Sequence, residues 1–198
     1  MELCNRVLHV HTLFGGISSH FGTERAMSLE RFEHSIESPA LRNVVRHWAE
    51  ARGGRRMPGW DNLNPAAIKA QLAIIWSWRF DPVSRQFIGR LAGERIESVL
   101  GMSVRGMPMS EVFARHDYAT ALARHTRVVT EPAFYRGHGL VFRHLDRFDI
   151  GERIILPLAD DGEHADGIIG ATEFHSNYGT PPKDVERGAE IEEWFTLA

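Results

Sequence analysis

An amphipathic helix is the first strong pattern in the chain. Apolar side chains between Leu41 and Trp48 recur at spacings of three, four and seven residues, which places them on one helical face. The preceding Ser38-Pro39 is typical of a helix start, because serine caps free N–H groups and proline suits the first helical position. Gly53-Gly54 is typical of a helix end. The pattern therefore predicts a helix between these two signals.

A strict alternation of side chains follows and indicates a β-strand. Ile74, Trp76, Trp78 and Phe80 occupy every second position, so they share one face of an extended segment. Asp81-Pro82 initiates a turn, after which the chain returns as a second strand over 86–91. The pair predicts an antiparallel hairpin with a loop of about five residues.

The remaining patterns predict short helices followed by strands. Glycines and a proline break the stretch 94–130 into helical pieces, the best of them over 117–129. Strands are predicted near 133–135, 150–158 and 167–174, a helix over 185–195, and the segment 136–148 stays unassigned. Strands joined by turns form antiparallel sheets, with helices segregated to one face. The sequence therefore predicts an α+β fold.

Composition and charge narrow the class of protein. The chain has 198 residues, 43% of them hydrophobic and 25% charged, which is typical of one globular domain with extensions. The net charge of −3 argues against a nucleic-acid partner. A single cysteine, Cys4, allows no intrachain disulfide, and no apolar run approaches the ~20 residues that span a bilayer. Together with the lack of a secretory signal, these features predict a cytoplasmic protein without membrane contact.

Five short sequence pieces, in this order, resemble a bacterial single-PAS-domain family that was formerly a domain of unknown function. The matching pieces are Leu41…Trp48…Arg52-Gly53-Gly54-Arg55-Arg56-Met57-Pro58, Asp61…Asn64-Pro65-Ala66-Ala67-Ile68, Phe87-Ile88-Gly89-Arg90-Leu91-Ala92-Gly93…Ile96, Gly101…Gly106-Met107, and Glu152-Arg153-Ile154-Ile155-Leu156-Pro157-Leu158. The similarity covers roughly residues 39–174. The resemblance implies a PAS-like five-stranded antiparallel sheet with flanking short helices, and a role in signalling.

On the basis of that resemblance, the chain is predicted to have three parts. Residues 1–26 show no clear period and are interpreted as a loose N-terminal extension, with Met27 as the hypothesised native start. Residues 27–176 form the PAS-like domain with its N-terminal helix. Residues 177–198 form a C-terminal tail with a helix. The two terminal helices are the candidates for a dimer interface or for passing a signal to a protein partner.

The tryptophan-bearing face of the first strand is the main candidate for a ligand site. Two tryptophans supply a large apolar area and two N–H donors that need partners, which suits either an ordinary core or the wall of a pocket for a small apolar ligand. We expect the wall to include further aromatic side chains, with Arg90 or Tyr135 as a polar anchor. The full set of candidates is Trp76, Trp78, Arg90, Phe113, His125, Phe134 and Tyr135.

Motifs for catalysis or for a bound cofactor are weak. The chain has eleven histidines but one cysteine and no H-E-x-x-H, so no metal site is expected. Haem and flavin are not expected either, and His125 would be the first axial ligand to examine for haem. No G-x-S-x-G nucleophile motif is present. The chain is therefore predicted not to be an enzyme.

Two other interpretations stay open at this point. One is a small α+β cone enzyme of the isomerase or dehydratase type, which would need a buried acid–base residue such as Glu173 or His138. The other is an interaction protein with a filled core and no ligand. The main prediction is a non-catalytic sensor that binds a small ligand or a partner protein and relays the signal by protein–protein contact. The mechanism would be a shift in conformational populations.

Overall fold

The computed structural model describes residues 27–113, 115–143, 147–179 and 190–197. Its helices are α1 over 27–35, α2 Pro39–Arg52, α3 Glu94–Leu100, α4 Met109–Val112 and α5 Arg115–Thr130, with short 3₁₀ segments at Trp60–Asn62 and Pro65–Ile74. Its strands are β1 Ile75–Asp81, β2 Gln86–Ala92, β3 Ala133–Arg143, β4 Arg147–Leu158, β5 Gly167–Tyr178 and β6 Ile191–Thr196.

The six strands form one antiparallel sheet in the order β2-β1-β5-β4-β3-β6. The β1–β2 hairpin lies at one edge, and α3 to α5 form the connection between β2 and β3. The α+β class is therefore confirmed. The described part of the sheet has one strand more than the five that the resemblance implies, because β6 pairs with β3 at the other edge.

The C-terminal helix predicted over 185–195 is wrong where the structure describes it. Residues 191–196 are a strand, with Trp194 opposite Tyr135 and Glu193 opposite Arg136. The same residues satisfy a period of two, and backbone pairing with β3 favours the strand. The rest of that prediction, like the extension 1–26, lies outside the described residues.

The unassigned segment 136–148 belongs mostly to two long strands. β3 continues to Arg143 and β4 begins at Arg147, and the register between them shifts between Leu140 and Phe142. Gly137 and Gly139 weaken the apolar alternation that would have indicated a strand here. Hydrogen bonds to β4 and β6 stabilise this strand although its own residues have a low β-propensity.

The start and end of α2 agree with the predicted signals. The hydroxyl of Ser38 accepts a hydrogen bond from the Leu41 N–H at 3.1 Å, and Pro39 occupies the first helical position. Gly53 ends the helix at a φ of +55°, a conformation that side chains other than glycine rarely adopt. Trp48 on the buried face donates its indole N–H to the carbonyl of Pro157, 2.8 Å away.

The sheet separates two apolar cores. On one face Phe32 of α1 and Trp48 of α2 pack against Phe134, and Ile36 between the two helices belongs to the same core. On the other face α3 to α5 cover the second core, whose buried strand residues are Trp76, Trp78, Phe87, Tyr135, Val141, Ile155, Ile168 and Phe174. Because neighbouring strand residues point to opposite faces, each strand contributes to both cores.

Candidate ligand cavity

A narrow cavity lies between the sheet and helices α3 to α5. The space in it that admits the centre of a water-sized sphere is about 40 Å³. Its lining consists of Trp76, Trp78, Ile96, Leu100, Val104, Phe113, Ala121, Arg124, His125, Phe142 and Arg153. The lining is mainly apolar with a few charged or polar groups, as is usual in small-molecule sites.

The indole of Trp76 is held against the neighbouring strand. Gly170 pairs with Trp76 across β1 and β5, and a Cβ at Gly170 would overlap the indole ring. The missing side chain lets the ring lie close to the β5 backbone. There the indole N–H donates to the hydroxyl of the fully buried Thr172 at 3.0 Å, so the ring has one fixed orientation in the cavity wall.

His125 on α5 presents one unpaired nitrogen in this lining. Its Nδ1 lies 2.5 Å from the carbonyl of Ala121, which can only accept, so Nδ1 carries the proton and Nε2 bears the lone pair. Nε2 is buried and has no hydrogen-bond partner among the described residues. Burial, reinforced by the nearby Arg124 and Arg153, lowers the pKa of His125 from 6.5 to about 3. The imidazole is therefore neutral at physiological pH.

Two buried arginines share one carboxylate at the polar end of the cavity. Arg124 Nη1 and Arg153 Nη1 lie 2.9 Å and 3.2 Å from Oε2 of Glu190, and Arg124 Nη2 lies 2.6 Å from Glu192. Burial alone would lower the pKa of Arg124, but the negative charge of Glu190 raises it overall. The guanidinium of Arg124 is therefore charged, and both arginines line an otherwise apolar space.

Tyr135 lies directly beside this polar cluster. The guanidinium of Arg124 stacks over its ring at 4.6 Å. Its hydroxyl is buried and, like Oε1 of Glu190, lacks a hydrogen-bond partner within the described ranges. Burial, with the negative charge of Glu190, raises the pKa of Tyr135 far above its ordinary value. The hydroxyl therefore stays protonated and can donate.

A family comparison decides the class of this domain. The model of the family described as PAS domain matches residues 36–173, which is more than half of the chain. The chain belongs to the PAS domain family. No curated protein and no solved structure matches the chain. The resemblance stated from the sequence pieces is thereby confirmed.

The cavity face of this PAS domain carries four of the seven candidate site residues, namely Trp76, Trp78, Phe113 and His125. Tyr135 lies in the same core, under Arg124.

Arg90 and Phe134 lie elsewhere, so their predicted place in this cavity is corrected. Arg90 is on the exposed side of β2 with its guanidinium 4.1 Å from the ring centre of Trp60. Phe134 packs on Phe32 in the opposite core. It precedes Tyr135 on one strand, so the two side chains point to opposite faces.

Sequence reasoning missed the charged end of the cavity. Arg153 lies on β4 two residues before the buried Ile155, and this position in the alternation could have indicated an inward arginine. Arg124 precedes His125, but neighbouring helical positions give no signal of a shared cavity. Glu190 comes from a distant part of the chain, so no local pattern places it here.

A second buried ionic cluster occupies the opposite face of the PAS sheet. Glu152 on β4 accepts from the backbone N–H groups of Glu37 and Ser38, at 3.1 Å and 2.8 Å, in the link between α1 and α2. Arg136 on β3 binds the same carboxylate at 2.5 Å and also pairs with Glu193 on β6. This cluster therefore ties the helical link to three strands.

Among the described residues, no group of three or more His, Cys, Asp or Glu side chains could hold a metal ion. No helix within the same residues combines the length and the apolar character needed to cross a membrane. Glu173, one of the two residues considered for the enzyme interpretation, lies on the α2 side and accepts from the hydroxyl of Ser38.

Proposed function

We propose that this PAS domain is a cytoplasmic, non-catalytic sensor. A small ligand binds in the cavity between the sheet and α3 to α5, and the bound state is passed to a protein partner through α1, α2 and the sheet edge. The observation that carries this proposal is the cavity itself, whose aromatic walls enclose an unpaired, fully buried imidazole nitrogen of His125. Such a nitrogen costs free energy unless a donor reaches it.

The two faces of the sheet are joined by neighbouring residues on the same strands. On β4, Arg153 lines the cavity while Glu152 holds the link between α1 and α2. On β3, Tyr135 packs under the guanidinium of Arg124, which lines the cavity, while Arg136 binds Glu152. A small shift of β3 or β4 on ligand binding therefore changes the contacts of the link between α1 and α2. A ligand that binds one arrangement better shifts the population toward it.

The chemistry of the cavity favours binding over acid–base catalysis. A general acid or base works best with a pKa near the operating pH. Burial moves the pKa of His125 down to about 3 and that of Tyr135 up, so both are displaced away from neutrality. The groups that remain are hydrogen-bonding and ionic contacts suited to holding a ligand.

A cavity-filling substitution tests the proposal. Ala121→Leu places a larger side chain in the lining, and Ala123→Leu is the matched control because Ala123 is exposed on the same helix. Hydrogen–deuterium exchange of the full chain, measured by mass spectrometry, would report on 27–38. We expect Ala121→Leu to alter exchange in this range and Ala123→Leu to leave it unchanged.

Native mass spectrometry of protein purified from its own host supplies the second measurement. We expect a small molecule to be retained by the natural chain and to be lost in Ala121→Leu. Unchanged exchange at 27–38 together with no retained molecule would show that the domain is an interaction protein with a filled core. Chemical turnover of the retained molecule by the domain alone would instead favour the enzyme interpretation.

A further inference from the structure

The polar end of the cavity holds an excess of buried positive charge. Arg124 and Arg153 are 7% and 12% exposed, and the buried carboxylate between them belongs to Glu190, which is 9% exposed. Glu192 also pairs with Arg124 but is 36% exposed and therefore screened by solvent. Two buried cations thus face one buried anion. A negative group in the cavity would balance this excess where the local dielectric is low.

Hydrogen-bonding capacity at this end is only partly used. Nε of Arg124 is buried and has no partner in the described part of the chain, and it can only donate. Nε2 of His125 can only accept, because the proton is on Nδ1. The cavity therefore offers a free donor from a cation and a free acceptor from a neutral ring. A ligand that complements both must carry an acceptor and, separately or on the same group, an O–H or N–H donor.

The walls favour a flat ligand body. Trp76, Trp78, Phe113 and Phe142 supply four aromatic side chains of the lining. Only about 40 Å³ of this space admits the centre of a water-sized sphere, so a bound ring must lie in close contact with these walls. Aromatic rings pack well against aromatic walls in offset or edge-to-face arrangements.

We propose that the cavity binds a small aromatic carboxylate that carries a hydroxyl group. Its carboxylate lies against Arg124 and Arg153, its ring between the aromatic walls, and its hydroxyl donates to Nε2 of His125. This inference rests on the proposed sensor function and names the ligand class for that site. Arginine suits the task because its planar donors match a carboxylate.

Three probes on the natural full chain test the class without any substitution. Isothermal titration calorimetry would compare 3-hydroxybenzoate, benzoate and 3-hydroxybenzamide. The amide keeps the ring and the hydroxyl but removes the negative charge. We expect 3-hydroxybenzoate to bind at least about tenfold more tightly than the amide, because hydrogen bonds to charged groups are the stronger ones. We expect benzoate to bind several-fold more weakly than 3-hydroxybenzoate, because it lacks the donor for His125.

Variants then assign each preference to a residue. His125→Phe keeps a planar ring and removes the acceptor, so the advantage of 3-hydroxybenzoate over benzoate should disappear. Arg153→Gln should reduce the advantage of the acid over the amide. Arg79→Gln is the control for the arginine change, because Arg79 is exposed on β1. Near-ultraviolet circular dichroism would confirm that each variant is folded, and the three-probe comparison on the natural chain stands if one is not.

The outcomes separate this inference from the sensor function. Equal or tighter binding of the amide, or no heat from any of the three probes at millimolar concentration, would overturn the assignment of an aromatic carboxylate. The sensor proposal survives either result if Ala121→Leu still alters exchange at 27–38 and a different molecule is retained. If Ala121→Leu leaves exchange at 27–38 unchanged while 3-hydroxybenzoate still binds more tightly than the amide, the domain has a binding site that does not pass on a signal.

Discussion

The buried imidazole of His125 links the stability of this PAS domain to pH. Its pKa is about 3 in the folded state and 6.5 in an exposed setting, because burial disfavours the cation. Above pH 6.5 both states leave the ring neutral, so this histidine contributes no pH dependence there. As pH falls from 6.5 toward 3, His125 is protonated in the unfolded state but stays neutral in the folded state. Folding stability is therefore lost over this window.

His125→Phe should remove that loss. Urea unfolding at about pH 7 and about pH 4.5 would measure the free energy of unfolding of both chains. We expect the natural chain to lose about 2 to 3 kcal/mol more than His125→Phe between these pH values, from the linkage of one displaced titration. His175→Gln is the control, because His175 is exposed and should leave the natural pH dependence in place. An identical pH dependence in His125→Phe would show that another group is responsible.

Individual residues also show where sequence reasoning succeeds and stops. The alternation placed Trp76 and Trp78 on one face correctly, because a strand has a fixed period of two. The same period means that Phe134 and Tyr135 cannot share a face, so the predicted wall residue Phe134 and the predicted anchor Tyr135 could not both face one cavity. The ion pairs of Glu190 join distant segments, and only the three-dimensional fold brings them together.

At the scale of elements, the packing of β1 against β5 depends on one glycine. Gly170→Ala would place a Cβ in the position of the Trp76 indole, and the ring would have to move away from Thr172. We expect a loss of about 1 to 3 kcal/mol in the free energy of unfolding, as for other overpacked sites. Urea denaturation would measure it. Gly54→Ala is the control, because nothing lies within 4 Å of a Cβ there. A Gly170→Ala chain as stable as the natural one would contradict this account.

Elements with strong local signals were predictable, and those that depend on pairing were not. Helix α2 has its own cap, its own proline and a single apolar face, so its sequence specifies it locally. The segment 191–196 contains charged and apolar residues that suit a helix or a strand. Its state is decided by hydrogen bonds to β3, whose residues 133–138 pair with 191–196 from a distant part of the chain. The predicted C-terminal helix failed for that reason.

At the scale of the whole molecule, β6 connects the two cores. Trp194 packs edge-on against Tyr135 at 4.9 Å, on the side of α5 and the cavity. The next residue, Phe195, contacts Phe32 of α1 at a ring distance of 5.3 Å on the other side. One edge strand therefore contacts both Tyr135, on the cavity side of the sheet, and Phe32 of α1 on the other side. A displacement of β6 therefore changes side-chain contacts on both faces of the sheet.

Phe195→Ala should release α1 without emptying the cavity. Phe195 is half-buried, so the loss of its contact with Phe32 should cost about 2 kcal/mol in the free energy of unfolding. Hydrogen–deuterium exchange should accelerate over 27–35 while the amides of α5 keep their protection. Ile191→Ala is the matched control on the same strand, because Ile191 is 58% exposed and should change neither segment.

The decisive measurement combines Phe195→Ala with Ala121→Leu. If β6 carries the effect of the cavity to α1, filling the cavity should alter exchange over 27–35 in the natural background and much less in the Phe195→Ala background. The two changes are then non-additive, which is the mark of coupled sites. Strict additivity would show that the cavity reaches α1 by another route. The contact of Glu152 with the link between α1 and α2 would then be the next path to remove, because it joins β4 to that link without involving Phe195.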